Sequence, residues 1–546
     1  MTPTQSCSKL FKDLRWGFQI KPTEPRIKCI KLFLDRNQTL PHFVSTLDIA
    51  GELRKFNRDV VDAVADFLAK IHNHTIETLC KRYTEAFVKT TQVEFILTVP
   101  AVWSDIAKNA TMEAAKRAGM SNLKVISEPE AAAVYALKAI QPNQLHVGDN
   151  MVVCDAGGDT VDLVSYSIAQ LSPLALKESQ VGTGGLCGAA FLNYRFEDHV
   201  RHRLGDTKFN DMMAKKPKAW QTALKYFEEY VKRNINEEGM EEFNIPFPGL
   251  GDNRRAGVES GFLILAAHQV KDIFAPIITE VISLVEQQVA AIRGRGDSVS
   301  AIILVGGFGQ SSYLYTRLKS HFKSNYSPPI SVPVGNKRRR IMTESGKPEG
   351  LNGIEVMQPP NAWTAVVRGA VIRGLEGSIV TERRCRYHYG TKCCPTYDET
   401  KHPLNCRYWD ELDEIYRASR CMDWYIAKNV PVSEQRAISL QFIQAYTEQK
   451  YCNEQTLMEK VTLYACTDNE APILYDDRPA FMKVCSIKTD LRIVPRELFS
   501  PRTTSTGIKY WNLSYEVEMK IDSASLEFEL KVNGLGYGSV KASFDH

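Results

Sequence analysis

Continuous and alternating apolar runs predict several short strands in the first two thirds of the chain. EFILTV (94–99), MVVCD (151–155) and SAIILV (300–305) are short apolar runs rich in β-formers, which predict buried strands. A glycine-rich turn links MVVCD to TVDLVSYSI (160–168), where the alternation of side chains predicts the second strand of a β-hairpin.

Segments with the apolar spacing of helices lie between these predicted strands. Ser104 is placed to cap a helix that runs to Ala118, and Ser127 is placed to cap another. Two longer helices are predicted at about 217–235 and 264–292 from the spacing of their apolar residues. Strands that alternate with helices predict an α/β architecture.

The pattern changes from about Arg436 onward. Short, alternating, β-rich runs follow one another with turn signals between several of them. This pattern predicts an antiparallel β-sandwich.

Composition narrows the class of protein. The chain has 546 residues, which at about 150 residues per domain favours three or four domains or subdomains. Its 44% hydrophobic and 24% charged residues exclude a disordered chain, a collagen and a coiled-coil rod. A net charge of +4 does not indicate a nucleic-acid binder. We find no apolar run long enough for a membrane span and no signal-peptide centre in residues 1–20.

Two glycine-rich loops are candidates to hold phosphate. In the first, Asp155 ends a strand, Gly157 and Gly158 follow, and Thr160 offers a hydroxyl. Glycines let backbone N–H groups converge on an anion, and an adjacent aspartate can hold a Mg²⁺-bound water or orient an attacking water. The alternative is a plain hairpin turn, since Asp and Gly are ordinary turn residues.

The second loop, Gly306-Gly307-Phe308-Gly309, lies between a predicted strand and a predicted helix. Such a loop presents free N–H groups and the positive end of a helix dipole to an anion, although it can also be a simple tight turn. Together, the two loops predict a nucleotide in a cleft between two lobes.

Several ordered motifs resemble a known family. They are ILTVPAVWSDIAKNATMEAAKRAG, ISEPEAAAVYAL, CDAGGDTVDL and AIILVGGFGQSSYL. These segments resemble the seventy-kilodalton heat-shock chaperones, and GGLCGAAF, FEEYVKRN, AVVRGAVIRG and MDWYIAKN resemble the divergent branch that includes vertebrate subfamily twelve. The resemblance implies a two-lobed, actin-like ATPase domain of the ribonuclease-H-like fold, incomplete at its N-terminus, that binds ATP or ADP with Mg²⁺.

The resemblance also implies site residues and domain limits. It gives catalytic roles to Asp155 (which would also hold Mg²⁺ through water), Thr160 and Glu128. The nucleotide-binding residues that it implies are Gly157, Gly158, Asp162, Gly188, Glu229, Lys232, Arg233, Gly306, Gly307 and Gly369. The implied domains are an ATPase domain (1–380, with lobe I at about 1–180 plus 360–380 and lobe II at about 181–359), a Cys-rich connector (381–435) and a β-sandwich that resembles a substrate-binding domain (436–546).

The chain departs from the family pattern in its phosphate loops. The first phosphate motif, Asp-x-Gly-Thr-Thr-x-Ser, does not occur in it, so we expect the first strands of lobe I and the catalytic lysine that follows them to be missing. EFILTV and MVVCD would then lose β partners. Asp159 replaces the third glycine of the second phosphate motif and would repel phosphate, help to hold Mg²⁺ or point away. Hydrolysis is therefore expected to be weak or lost.

Two further segments each allow a functional interpretation and a purely structural one. The run Lys337–Arg340 is a nuclear signal, an anion patch or a solvated loop. Five cysteines in the connector lack the Cys-x₂₋₄-Cys pairs of a zinc site, which favours free thiols. The odd total of 13 cysteines fits a reducing, cytoplasmic location, with the nucleus as the alternative.

Three hypotheses of function follow. The first is an ATP-binding chaperone or regulator whose partners are apolar peptide segments, client proteins and co-chaperones, with no nucleic acid or membrane. The second is a pseudo-ATPase that acts as a binding or scaffold protein through its β domain, unless that domain only caps the first. The third, a sugar-kinase relative, has no sugar-site constellation in its support.

Overall fold

The computed structural model combines a mixed α/β part with a following β-rich part. It describes residues 58–140, 145–236, 241–324, 353–434, 436–453, 457–521, 523 and 525–544, and parts of 15–35 and 51–54. The predicted basic run Lys337–Arg340 lies outside the described residues.

The helices and strands of the mixed part follow in chain order. The helices are α1 (Val60–Tyr83), α2 (Glu85–Thr90), α3 (Asp105–Arg117), α4 (Glu128–Ala139), α5 (Ala189–Leu204), α6 (Asp206–Lys215), α7 (Pro217–Tyr226), α8 (Lys232–Asn234), α9 (Ala267–Arg293), α10 (Ser312–Ser324) and α11 (Ala365–Glu376). The strands are β1 (Phe95–Val99), β2 (Leu123–Ser127), β3 (Asn150–Ala156), β4 (Val161–Leu171), β5 (Leu174–Gly185), β6 (Glu242–Pro246), β7 (Val258–Glu259), β8 (Phe262–Ala266), β9 (Val299–Val305) and β10 (Glu355–Met357).

The remaining elements are almost all strands. They are β11 (Val380–Arg384), β12 (His388–Cys393), β13 (Arg407–Asp410), β14 (Ile415–Ala418), β15 (Cys421–Ile426), β16 (Pro431–Ser433), β17 (Ile438–Thr447), α12 (Glu448–Cys452), β18 (Met458–Cys466), β19 (Phe481–Asp490), β20 (Ser500–Thr503), β21 (Lys509–Ile521), β22 (Leu526–Val532), β23 (Leu535–Ser539) and β24 (Lys541–Ser543).

A seven-stranded sheet forms the centre of the mixed part, in the order β10-β9-β3-β4-β5-β11-β16. The predicted hairpin is confirmed: β3 and β4 are antiparallel, with Asp155 opposite Asp162. The expectation that MVVCD loses its partners is wrong, because β3 is fully buried between β4 and the parallel β9. Among the described residues, EFILTV (β1) pairs only with β2.

This sheet crosses the predicted lobe boundary. Residue 180 lies within β5, and β3, β4 and β5 share the sheet with β9 and β10. The predicted Cys-rich connector is also divided, because β11 and β16 extend this sheet whereas β12 and β15 join a sheet of the β-rich part. Hydrogen bonding between distant strands therefore brings into one sheet residues that the sequence motifs had assigned to different lobes or domains.

The longest helix lines the largest hydrophobic core. Val270, Phe274 and Val281 of α9 are buried there with β3, β4 and β9, although Pro276 interrupts its hydrogen bonding. By length and composition alone, α9 is the one described helix that meets the criteria for a membrane span, and half of its most apolar window is buried inside the protein. Its apolar face is thus used for packing.

The β-rich part has two main antiparallel sheets around one core. One sheet has the order β15-β12-β18-β19-β24, and the other has the order β17-β21-β22-β23 with β20 paired to β21. Buried side chains from both sheets pack together, among them Leu463, Ile487, Leu513 and Leu530. The β-rich region predicted from the alternating pattern is present, and strands that precede residue 436 also belong to it.

Candidate functional site

The turn between β3 and β4 places two carboxylates side by side. Asp155 ends β3, and Asp162 lies opposite it near the start of β4. Both are buried, and the buried Thr160 hydroxyl hydrogen-bonds to Asp162. The backbone N–H of Val102 also donates to Asp162 Oδ1 over 3.4 Å. Three of the residues implied by the resemblance therefore meet at one end of the sheet.

The glycine loop after β3 is fixed by the start of α5. The backbone N–H groups of Gly188, Ala189 and Ala190 donate to the carbonyls of Asp159, Gly157 and Gly158, respectively, over 3.3, 3.1 and 2.8 Å. Gly158 is exposed, and a Cβ built on it would meet no atom within 4 Å. The loop is thus held rigidly from one side while its other side is open to a ligand.

The second glycine loop reaches the first through Gly306. This residue has a φ of +89°, and a Cβ on it would collide with Asp155 Oδ1 and the Ala156 carbonyl, so the approach requires glycine. A Cβ on the neighbouring Gly307 would again meet no atom within 4 Å. The two loops predicted from sequence therefore come together, each with one glycine that faces open space.

A lysine that sequence reasoning missed lies in the same place. Lys31, on a short 3₁₀ helix (Ile30–Leu34), donates from Nζ to Glu128 Oε1 over 2.6 Å. The expectation that the family's catalytic lysine is missing stays a prediction, because the contact with Glu128 does not identify Lys31 as that residue. No motif surrounds Lys31, and the only sequence signal is its position before the apolar Leu-Phe-Leu run.

The four charged groups influence one another. Burial, followed by the negative charges of Glu128 and Asp162, raises the pKa of Asp155 well above its ordinary value, and Lys31 opposes this. Burial and Glu128 likewise raise the pKa of Asp162 to about 6. Burial alone would lower the pKa of Lys31, but the attraction of Glu128 outweighs it and leaves the pKa raised. Three acidic side chains therefore share a single lysine in this cluster, and two of them are in surroundings that disfavour their negative charge.

Asp159 faces Cys29. The Cys29 thiol lies 3.7 Å from Asp159 Oδ1, and Cys29 itself has a φ of +54°. Tyr194 also contacts Cys29, and burial followed by the Cys29 interaction raises the pKa of Tyr194 to about 12. The residue that replaces the third glycine thus keeps an acidic group at the edge of the loop, on the side of Cys29.

The residues expected around adenosine are only partly brought together. Lys232 donates to the Ala189 carbonyl over 2.7 Å, which ties α8 to the start of α5, and burial lowers its pKa to about 8. Glu229, in the π-helical turn Phe227–Val231, is 61% exposed and lies 3.9 Å from Lys225, and Arg233 is also exposed. The structure connects Lys232 to the first glycine loop through the start of α5 and leaves the other two residues at the surface.

Gly369 has a packing role. A Cβ on Gly369 would collide with the backbone of Ala131, where α11 crosses α4. Only glycine permits this approach, which sets the position of α4 and therefore of Glu128 at its start. Gly369 acts on the site through helix packing.

A second charged cluster begins two residues further along α4. Glu130 is fully buried and accepts hydrogen bonds from Arg383 over 2.8 Å and from Arg373 over 3.3 Å. The Ser523 hydroxyl, from the turn between β21 and β22, also donates to Glu130. Arg383 further pairs with Glu178. This buried network joins the β-rich part to the helix that carries Glu128, and sequence reasoning missed it.

The carboxylates fit a hard cation. Oxygen ligands suit Mg²⁺, which keeps several waters and is held by one or two carboxylates together with phosphate oxygens. In the described part of the chain, no set of three or more side chains converges to enclose a metal ion directly. Burial and the neighbouring acids that raise the pKa of Asp155 and Asp162 also favour a positive charge beside them. These two residues therefore suit a Mg²⁺ ion bound mainly through water.

The chain is similar in sequence to known proteins. The family model "Hsp70 protein" matches residues 65–330. The chain is 24% identical to "Heat shock 70 kDa protein 12A" of Mus musculus and 23% identical to "Heat shock 70 kDa protein 12B" of Homo sapiens, in each case over 68% of its own length. It spans 62% and 61%, respectively, of the length of these relatives.

A further relative is a mitochondrial heat-shock protein. "Heat shock protein SSC3, mitochondrial" of Saccharomyces cerevisiae is 25% identical over 46% of this chain and 37% of its own length. The predicted fold class, an actin-like ATPase domain followed by a β-rich region, is confirmed. Residues 65–330 therefore match the Hsp70 family, and the chain is similar to the subfamily-twelve branch of that superfamily.

Proposed function

We propose that this chain binds ATP or ADP together with Mg²⁺ between its two glycine loops. The observation that carries the proposal is the meeting of the two loops, through Gly306 and Asp155, beside carboxylates that Lys31 only partly neutralises. Open space at Gly158 and Gly307 gives phosphate oxygens access to the backbone. Mg²⁺ would supply the positive charge that neutralises the phosphates, and Asp155 and Asp162 would hold it through water.

Lys31 and Glu128 have a positioning role in this proposal. Their 2.6 Å ion pair fixes the Glu128 carboxylate beside Asp155 and Asp162, so it orients water between the loops. Phosphoryl transfer depends almost entirely on such positioning. Thr160 holds Asp162 through its hydroxyl, which keeps that carboxylate turned towards the same place.

We further propose that hydrolysis is slow. Asp159 adds a negative charge at the edge of the loop that would face the phosphates. At about 4 Å and an effective dielectric near 20, two like charges repel by about 4 kcal/mol. The chain would then act as a nucleotide-controlled regulator or chaperone in the cytoplasm, with client proteins and co-chaperones as its partners.

The direct test is thermal unfolding with and without millimolar Mg-ATP. A ligand at about 100 times its Kd stabilises a protein by about 2.7 kcal/mol, which raises the Tm measurably. We expect a rise in the wild-type chain and a smaller one in Lys31→Met. Lys89→Met is the matched control, because Lys89 pairs with Glu85 on an exposed helix surface. A cooperatively folded wild type that shows no shift would contradict nucleotide binding.

The second candidate is a binding protein that works through the β-rich part without nucleotide turnover. The exposed Ile443 and Leu535, on the outer strands β17 and β23 of one sheet, favour it. Such residues suit apolar peptide segments. Fluorescence anisotropy with a labelled apolar heptapeptide would support this candidate if binding occurs and is weakened by Ile443→Asp. Binding that Mg-ATP also weakens would favour the nucleotide-controlled form.

A further inference from the structure

Three cysteine residues gather where β12 and β15 pair, and a fourth lies close by. Cys393 is the last residue of β12, Cys421 is the first residue of β15, and the antiparallel register places them directly opposite each other. Cys394 follows Cys393 and is exposed. The buried Cys406 is tied to this place through its carbonyl, which accepts hydrogen bonds from the Ser419 N–H and hydroxyl over 2.7 and 3.0 Å.

The Cys393–Cys421 pair satisfies the geometric requirement of a disulfide. Directly opposite residues on antiparallel strands have their side chains on the same face and their Cα atoms about 4.5–5.5 Å apart. Disulfides join cysteines whose Cα atoms are about 4.4–6.8 Å apart. Other cysteines of the same sheet lack this arrangement, because Cys466 lies opposite Phe481 and Cys485 lies opposite Leu463.

The surroundings distinguish the two thiols. Cys421 is 2% exposed, whereas Cys393 is half-buried and open to a small reagent. Burial, followed by the charge of Asp423 opposite Thr391, raises the pKa of Cys393 to about 12, so its thiol is mostly protonated at neutral pH and its reaction through the thiolate is slow. Among residues that the structure describes, no three ligating side chains converge on a metal ion here.

We propose that Cys393 and Cys421 form a reversible disulfide when the chain meets a low-molecular-weight disulfide such as oxidised glutathione. The Cys393 thiolate attacks one glutathione sulfur, which breaks the glutathione disulfide and releases one glutathione thiolate. The Cys421 thiolate then attacks the Cys393 sulfur and releases the second. The two released glutathione thiolates take up the two protons that the cysteines lose. Formation of one protein disulfide therefore converts one glutathione disulfide into two glutathione thiols.

The disulfide would close the base of an aromatic hairpin. Residues 394–420 between the two cysteines contain β13 and β14, which pair with each other and expose Trp409 and Tyr416, with side chains 50% and 45% exposed. Trp409 packs edge-to-face on Tyr416 with ring centroids 4.9 Å apart. The disulfide would restrict the conformations of this loop in the unfolded chain. In the folded chain it would hold the two ends of the segment that carries the hairpin together.

The test treats the full chain with oxidised glutathione, blocks free thiols, digests the protein without reduction and maps cross-linked peptides by mass spectrometry. We expect one dominant peptide pair that joins Cys393 to Cys421, and a rise in Tm of about 5 °C that a reductant reverses. Cys421→Ala should abolish both the cross-link and the rise in Tm. Cys452→Ser, at an exposed position outside the cluster, should abolish neither.

The other outcomes would overturn the proposal. A dominant Cys394–Cys406 link would show that a different pair reacts. A glutathione adduct on Cys394 alone, or four free thiols after treatment, would show that the opposed pair does not close. If Cys421→Ala does not fold, Cys393→Ser at the half-buried partner provides the same comparison.

Discussion

Two carboxylate clusters start two residues apart on α4 and have opposite surroundings. Glu130 is fully buried and is held by Arg383, Arg373 and Ser523. Burial acts to raise the pKa of Glu130, but Arg383 and the other partners outweigh it and hold the pKa below its ordinary value. Around Glu128, by contrast, burial and neighbouring acids raise the pKa of Asp155.

This difference distinguishes a charged cluster that holds the structure together from a charged cluster that is suited to bind a ligand. Removal of one partner from a buried, fully paired charge is strongly destabilising, because the other charge is left unpaired. A cluster with too few positive charges instead stores unfavourable energy that a cationic ligand relieves, and such clusters are typical of functional sites. The Glu130 cluster therefore joins the two parts of the protein, and the Glu128 cluster is where we propose that Mg²⁺ and nucleotide bind.

The largest predicted difference in stability is between the variants that remove the cation of each cluster. Arg383→Met should lower the free energy of unfolding by about 3–5 kcal/mol, because Glu130 and Glu178 would be left buried without it. Lys31→Met should cost only about 1 kcal/mol, because the Lys31 side chain is 41% exposed. Urea unfolding of the two variants measures both values. Equal losses would remove the distinction between the clusters.

Ser523→Ala tests the buried network around Glu130 with a smaller change. Its hydroxyl donates to the buried Glu130, and a hydrogen bond to a charged group contributes about 1.5–3 kcal/mol. The matched control is Ser505→Ala, because Ser505 donates to Glu414 at the exposed surface. We expect a loss of stability in urea unfolding for the first variant and almost none for the second. Similar values would show that Ser523 does not connect the two parts.

The smallest predicted effect concerns pH. Burial lowers the pKa of Lys232 from about 10.5 to about 8, so between these values the unfolded chain binds more protons than the folded chain. The free energy of unfolding should therefore rise as the pH increases from 8 to 10.5, by about 1 kcal/mol after allowance for solvent. Urea unfolding at both pH values should show this gain in wild type and in the exposed control Lys225→Met. The gain should disappear in Lys232→Met, and its persistence there would assign it to other groups.

Local sequence patterns predicted the parts of the site that are contiguous in the chain. The hairpin with Asp155 and Asp162, the Gly306 loop and the Ser104 cap, whose hydroxyl accepts from the Ala107 N–H, are each set by neighbouring residues. Helix starts and glycine turns have local signals because their hydrogen bonds are local.

Contacts between distant segments had no such signal. Lys31 meets Glu128 across 97 positions, and Glu130 meets Ser523 across 393. Single lysines and serines are common at solvated surfaces, so neither residue type nor spacing indicates these pairs. The expected loss of partners by MVVCD was wrong for the same reason, since β9 pairs with β3 from about 150 residues away.

The comparison is tested most directly by neutralising one carboxylate in each cluster. The measurement is the free energy of unfolding in urea at pH 7, without nucleotide, for Asp155→Asn and Glu130→Gln. We predict that Asp155→Asn stabilises the chain, because the surroundings of this position disfavour a negative charge. Glu130→Gln should destabilise the chain by about 3 kcal/mol, because it removes a charge that Arg383 and Arg373 require. Destabilisation by both substitutions would contradict the account.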